Sequence, residues 1–149
     1  MSNLKSMIKH HEGFSNYPYK CPAGHNTIGW GFNMDANPLP ADVKIYLEAN
    51  GMIAPAHAER LLSISISHAQ ASCRRLFPGF DEFDEVRRDA LTDFVFNVGE
   101  GGARKFVHAV AAINTGRWDD AAKDMRDSLW FNQVGKRAEE ITDMIEGAE

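Results

Sequence analysis

Long apolar runs are missing from this 149-residue chain. Nowhere do about 18 apolar residues follow one another, and MSNLKSMIKHHEG at the start has no apolar core of the signal-peptide kind. Neither a membrane span nor an export signal is therefore expected. Cysteine is scarce, with only Cys21 and Cys73, which lack the paired spacing of a zinc site. In a reducing cytosol a structural disulfide between them is not expected. The six histidines are scattered, and His10 and His11, being adjacent, would point about 100° apart on a helix and could not share an ion. No cofactor and no metal are expected. An excess of positive charge is also absent: 16 Lys and Arg face 21 Asp and Glu, a net charge of -5. That balance disfavours electrostatic capture of nucleic acid, and pairs such as Arg74-Arg75 and Arg87-Arg88 suit a solvated helix face. With no linker or low-complexity run, and with 44% hydrophobic and 25% charged residues, the chain reads as one globular domain, 1–149.

The acidic residues leave a gap of their own, because after Glu12 the next carboxylate is Asp35. Leu4, Met7, Ile8 and His11 recur at i, i+3, i+4 and i+7, which predicts a short amphipathic helix over 3–12 capped by Asn3 or Ser2. Gly13 ends it, leaving Glu12 in the last turn. Residues 16–20 and 26–31 carry Tyr17, Tyr19, Thr27, Ile28 and Trp30 around Pro22-Ala23-Gly24, the pattern of a β-hairpin. Cys21 then sits at the turn and Thr27 early in the returning strand, so both can converge with Glu12.

Residues 35–40 read as a Pro-rich loop and 41–49 as a brief helix closed by Asn50-Gly51. Pro55 suits the first turn of a helix running to about Phe77, and Pro78-Gly79 breaks the chain before a loop or short turn at 80–84. Helical patterns follow at 86–98, about 102–114, 117–127 and 135–146, with Trp118 and Trp130 read as core. Strands are expected only within 13–35. The class is α+β, with a small β-containing lobe (about 13–55) and a larger helical one (1–12 plus 56–149).

The spacing Glu12-x8-Cys21-x5-Thr27 resembles the Glu-x8-Asp-x5-Thr signature of the phage-type lysozymes, the endolysins of glycoside hydrolase family 24, with Cys21 where Asp is usual. Further along, Asn50-Gly51-Met52-Ile53 is similar to that family's loop into its inter-lobe helix. VRRDALTDFVFNVGEGG resembles its central buried helix, and GRWDDAAKDM followed by SLWFNQVGKRAEE resembles its Arg-Trp helix and closing Trp-x-Asn-Gln-x-x-x-Arg segment. Four motifs in order cover nearly the whole chain. The resemblance implies a lysozyme-like fold with a cleft between lobes joined by the long helix. It also implies cleavage of the β-1,4 bond between N-acetylmuramic acid and N-acetylglucosamine in bacterial peptidoglycan. Such an endolysin would be a monomer with no nucleic-acid partner and no membrane insertion. It would accumulate in the host cytoplasm and reach the wall when a holin admits it.

Carried over position by position, the resemblance makes Glu12 the general acid that protonates the glycosidic oxygen. Cys21 either takes the place of the Asp that activates the attacking water or is a small turn residue without chemistry. A thiol with an ordinary pKa of roughly 8.5 is a poor base unless a neighbour lowers it, and Lys20 and His25 are close in sequence. Thr27 would orient the water, although Thr is also simply a good strand residue. Phe96 packs against sugar or core, Asn97 bonds a sugar amide or the backbone, and the family counterpart of Arg137 pairs with the catalytic Glu. Asn33 lies where saccharide is often touched, and Phe32 where the family often has His. Two rival readings remain: a lytic transglycosylase using Glu12 alone, and a glycan-binding protein without catalysis.

Overall fold

The computed structural model describes residues 3–147. Among them, α1 (Leu4–Glu12) leads into β1 (Ser15–Lys20), β2 (Asn26–Gly29) and β3 (Phe32–Asn33), followed by α2 (Ala41–Asn50) and α3 (Pro55–Leu76). After a 3-10 turn at Phe80–Glu82 come α4 (Glu85–Arg104), α5 (Val107–Asn114), α6 (Trp118–Arg126), α7 (Leu129–Val134) and α8 (Lys136–Glu146). Helices predominate, with one small antiparallel sheet of order β1-β2-β3 among the described residues, the α+β class expected. Of the two caps considered for α1, Ser2 lies outside the described residues. The chain divides into two compact units, Lys5–Ile66 and the residues from Ser67 onward joined by the N-terminal residues up to Leu4, and α3 passes from one to the other. No helix of the described residues is long and apolar enough to cross a membrane.

Within Lys5–Ile66 the sheet departs from the expected two-stranded hairpin. Gly29 and Gly31 have φ of 66° and 71°, left-handed values that glycine adopts without the steric cost of a Cβ. The chain therefore reverses around Trp30, and the single strand expected over 26–31 is instead β2 and β3, paired Thr27 to Asn33 and Ile28 to Phe32. On its other edge β2 pairs Thr27 with Tyr19 and Asn26 with Lys20, and the register shifts before Ser15 meets Gly29. Pro18, which lacks an N–H, falls in that irregular stretch of an edge strand, where it is tolerated. Ile28 and Phe32 are buried with Val43, Ile53, Ala58 and Leu61. That small core fixes the face of the sheet from which the hairpin projects. At the end of α2, Gly51 caps the helix in the left-handed region, its N–H bonded to the Leu47 carbonyl at 2.8 Å, as the Asn-Gly stop predicts.

In the unit from Ser67 onward the helix expected over 86–98 ends at Gly99 as the sequence indicates, whereas the one expected over about 102–114 is divided in two. Gly99 leaves the helical region (φ 76°, ψ 166°), helical geometry resumes as far as Arg104, and the next helix starts only at Val107. Periodicity also misses α7, whose six residues are too few to display a 3.6-residue repeat. Ser128 starts it by accepting the Phe131 N–H at 3.2 Å. The core centres on Phe94, Phe106 and Trp130, which meet edge to face at centroid distances of 5.1, 5.0 and 5.9 Å, geometry worth about 0.5–1.5 kcal/mol per pair beyond burial. Trp130 is core, as expected; Trp118 is only partly buried, edge-on to Phe83.

Arg87 ties the end of this unit to its beginning. Its Nε donates to the Ile145 carbonyl at 2.7 Å and Nη2 to the Glu146 carbonyl at 3.0 Å, satisfying the last turn of α8, while its guanidinium lies 4.5 Å from the Trp118 ring centre. Arg87→Ala should therefore destabilise the protein by about 2–3 kcal/mol. A urea titration checks this, the midpoint falling with the slope unchanged.

Candidate active site

Glu12 is the last residue of α1, and the helix is held immediately before it. Lys9, one turn earlier, pairs with Glu59 of α3, and its ammonium lies 4.4 Å from the Trp30 ring centre. Phe14 packs on the same indole at 4.7 Å. Gly13 stops the helix, its N–H bonded back to the Lys9 carbonyl at 3.2 Å. The Glu12 carboxylate comes to rest against the β2–β3 turn, so closely that a Cβ built on Gly31 would stand 2.5 Å from Oε1.

Cys21 closes the hairpin on the other side. Its N–H bonds to the His25 carbonyl at 3.0 Å and its carbonyl accepts the Gly24 N–H at 2.8 Å, which closes a tight turn. The thiol pKa is lowered, first by the His25 backbone N–H and then, against a smaller opposing effect of desolvation, by the Thr27 hydroxyl and the N–H groups of Ala23 and Gly24. Donors of this kind stabilise the thiolate over the thiol. The turn is pinned from β3's exit by Asp35, which accepts the Asn26 N–H at 2.8 Å and its Nδ2 at 2.9 Å. Those two bonds hold the Asp35 carboxyl below its usual range.

Thr27 is 3% exposed and faces Tyr19 across the sheet; its hydroxyl donates to the His25 carbonyl at 2.9 Å. The Tyr19 phenol has its pKa raised, mostly by burial, then by the charge of Glu12 and then by that of Cys21. One phenol thus lies within electrostatic reach of both groups. The structure brings Glu12, Cys21 and Thr27 together in the Lys5–Ile66 unit, with Tyr19 and Gly31 as neighbours the motif spacing does not mark.

The remaining candidates are occupied with structure. Asn33 Oδ1 accepts the N–H groups of Asp35 and Ala36 at 2.9 and 3.1 Å, shaping the turn after β3, and Phe32 is buried in the core beneath it. Phe96, Asn97 and Arg137 belong to the other unit. Phe96 packs against its aromatic core, and Asn97 Oδ1 accepts the Trp130 indole N–H at 2.8 Å. Arg137, itself 9% exposed, pairs through Nε and Nη2 with Oδ1 of the fully buried Asp93 at 2.8 and 2.7 Å. Asp93 is 44 residues away in sequence, and no local pattern announces it.

Known proteins resemble this chain over most of its length. The sequence model described as phage lysozyme matches residues 9–143. The protein named "Probable T4-type lysozyme 2" from Dictyostelium discoideum is 28% identical over 98% of this chain and 95% of its own length. "Probable T4-type lysozyme 1" of the same organism is 27% identical over the same shares. The pre-baseplate central spike protein Gp5 of Enterobacteria phage T4 is 27% identical over 96% of this chain, which spans 27% of that protein.

The two cysteines should differ sharply in reactivity. Cys73 is buried, and desolvation pushes its thiol up to about 12, whereas Cys21 is half-buried with a lowered pKa. Iodoacetamide should label Cys21 alone in the folded protein, with its rate half-maximal below the ordinary thiol value of about 8.5. By linkage, the stabilisation from this depressed thiol is fully present above the unfolded-state pKa and fades as pH falls through the folded one. Mass spectrometry of alkylated peptides across a pH series reads both predictions, and a midpoint above about 8.5 would contradict the first.

Proposed function

This chain belongs to the phage lysozyme family, and from that premise we propose that it is an endolysin cleaving the β-1,4 bond between N-acetylmuramic acid and N-acetylglucosamine. Its coarser activity, lysozyme-type hydrolysis of peptidoglycan, goes with the family. The finer reading is supported by one observation: the charges of Glu12 and Cys21 both act on the phenol of Tyr19, so a proton donor and an ionisable thiol lie on the same side of the hairpin region. In the proposed reaction Glu12 gives its proton to the glycosidic oxygen as the C1–O bond breaks toward an oxocarbenium-like state. Water on the opposite face, oriented by the Thr27 hydroxyl, loses a proton to the Cys21 thiolate and bonds to C1 with inversion. Solvent then returns a proton to Glu12 and takes one from Cys21. The lowered thiol pKa supports this base role. Arg137, Asn33, Phe96 and Asn97 are proposed to bind the glycan in addition to the packing and bonds described.

The chain is further proposed to act as a monomer that collects in the host cytoplasm and meets the wall once a holin opens the membrane. Glu12→Gln should cut the lytic rate by about 10²–10⁴-fold, the range of general acid–base catalysis. Clearing of permeabilised Gram-negative cells measures it, and retention of more than about a tenth of the rate would remove Glu12 from the role. Cys21→Ser should lose most activity, because a hydroxyl of similar size does not ionise near neutrality, while Cys21→Asp should keep it. Reducing-end analysis of the digest adds a separate check. New reducing termini fit hydrolysis, whereas 1,6-anhydro ends would assign the protein to transglycosylation by Glu12 alone.

A further inference from the structure

Two glycines bracket Trp30, and they are alike in backbone but not in surroundings. Gly29 has φ 66° and Gly31 φ 71°, so a side chain at either position meets the same left-handed strain. A Cβ on Gly29 would make only ordinary contacts, with Ala58 at 3.9 Å and Ile53 at 4.0 Å. On Gly31 it would stand 2.5 Å from Glu12 Oε1, 3.0 Å from Cδ and 3.4 Å from Cγ. Even weak C–H···O contacts need about 3.3–3.6 Å. Any side chain at 31 must therefore drive the carboxylate roughly 1 Å from its place.

Elements on either side of this contact hold the helix end and the turn in place, so the Glu12 carboxylate is what must move. Lys9 binds α1 both to Glu59 and to the Trp30 ring, so the helix end and the turn are tied to each other. Phe32, which follows Gly31, is locked in the core. We propose that Gly31 is a positioning residue for the reaction, its bare Cα forming the wall that holds the Glu12 carboxylate where it donates its proton. This rests on the reading of Glu12 as the general acid. A wall made of backbone has no rotamers, so it sets the position of the acid without a side chain to order.

The test is a set of variants assayed for initial rate over a range of peptidoglycan concentrations, together with thermal melts. Gly29→Ala and Gly31→Ala should both lower Tm by about 2–8 °C, the shared backbone strain. Only Gly31→Ala should lower kcat, by about 10²-fold, the typical penalty for misplacing a reacting group by 1 Å, with KM within about twofold. In a Glu12→Gln background Gly31→Ala should cost no more than about a further twofold, because a residue that acts through Glu12 has nothing left to position. Near-normal kcat in Gly31→Ala, equal kcat losses in the two glycine variants, or losses that multiply in the double variant would each overturn the proposal. Should Gly31→Ala fail to fold, Glu12→Ala in the same chain removes the obstacle and should restore a cooperative melt; a chain still unfolded would overturn it too. Failure of the underlying reading is seen separately, as activity surviving in Glu12→Gln alone.

Discussion

The backbone N–H groups of His25, Ala23 and Gly24, together with the Thr27 hydroxyl, all lower the pKa of one thiol, and they do so because the hairpin turns tightly around Cys21. A carboxylate is ionised near neutrality without assistance, but a thiol is not, so a cysteine at this position needs donors that a carboxylate would not. The turn provides them by closing tightly, Cys21 N–H to His25 carbonyl and Gly24 N–H to Cys21 carbonyl. The closure in turn sets the register that brings Thr27 opposite Tyr19, and Asp35 keeps the turn from swinging by gripping Asn26.

The two cysteines show that surroundings, not residue type, decide this chemistry. At Cys73 the Thr92 hydroxyl also favours the thiolate, yet desolvation wins and the pKa rises to about 12; at Cys21 several lowering groups at a half-exposed turn outweigh desolvation. A comparable economy governs α4. Asp93 and Asn97 stand four residues apart, hence on one helical face, and they hold Arg137 and the Trp130 indole respectively. Removing one partner of a buried ion pair such as Asp93–Arg137 leaves the other charge uncompensated and is strongly destabilising. A single face of α4 thus fixes both α7 and α8.

Much of this was legible in the chain. The i, i+3, i+4 spacing before Glu12, the Pro-Ala-Gly turn, the Asn50-Gly51 stop and the helix beginning at Pro55 are local signals, and local signals survive folding. The misses have physical causes. Gly-Trp-Gly reads equally as a strand end or a reversal, because glycine permits both signs of φ, and the structure takes the reversal. A six-residue α7 is shorter than two turns of period. Sequence names side chains, so Lys20 and His25 stand out as candidates to perturb Cys21. The largest effect comes instead from the backbone N–H of His25, a group every residue but proline possesses and no pattern displays. Asp93 finds Arg137 across 44 residues, a pairing set by helix packing.

Thr27 links the protonation of the thiol to the geometry of the turn. A hydroxyl has one proton to give; here the His25 carbonyl takes it at 2.9 Å, and the same hydroxyl lowers the Cys21 pKa. With the thiol protonated, the hydroxyl can serve the carbonyl while its oxygen accepts from S–H. Once the sulfur is ionised, it becomes the stronger acceptor, charge-assisted bonds being roughly twice as strong as neutral ones. Turning the hydroxyl toward it does not orphan the carbonyl, which still receives the Cys21 N–H at 3.0 Å. The rotation therefore costs little, and part of the lowered thiol pKa comes from a hydroxyl whose other acceptor has a second donor.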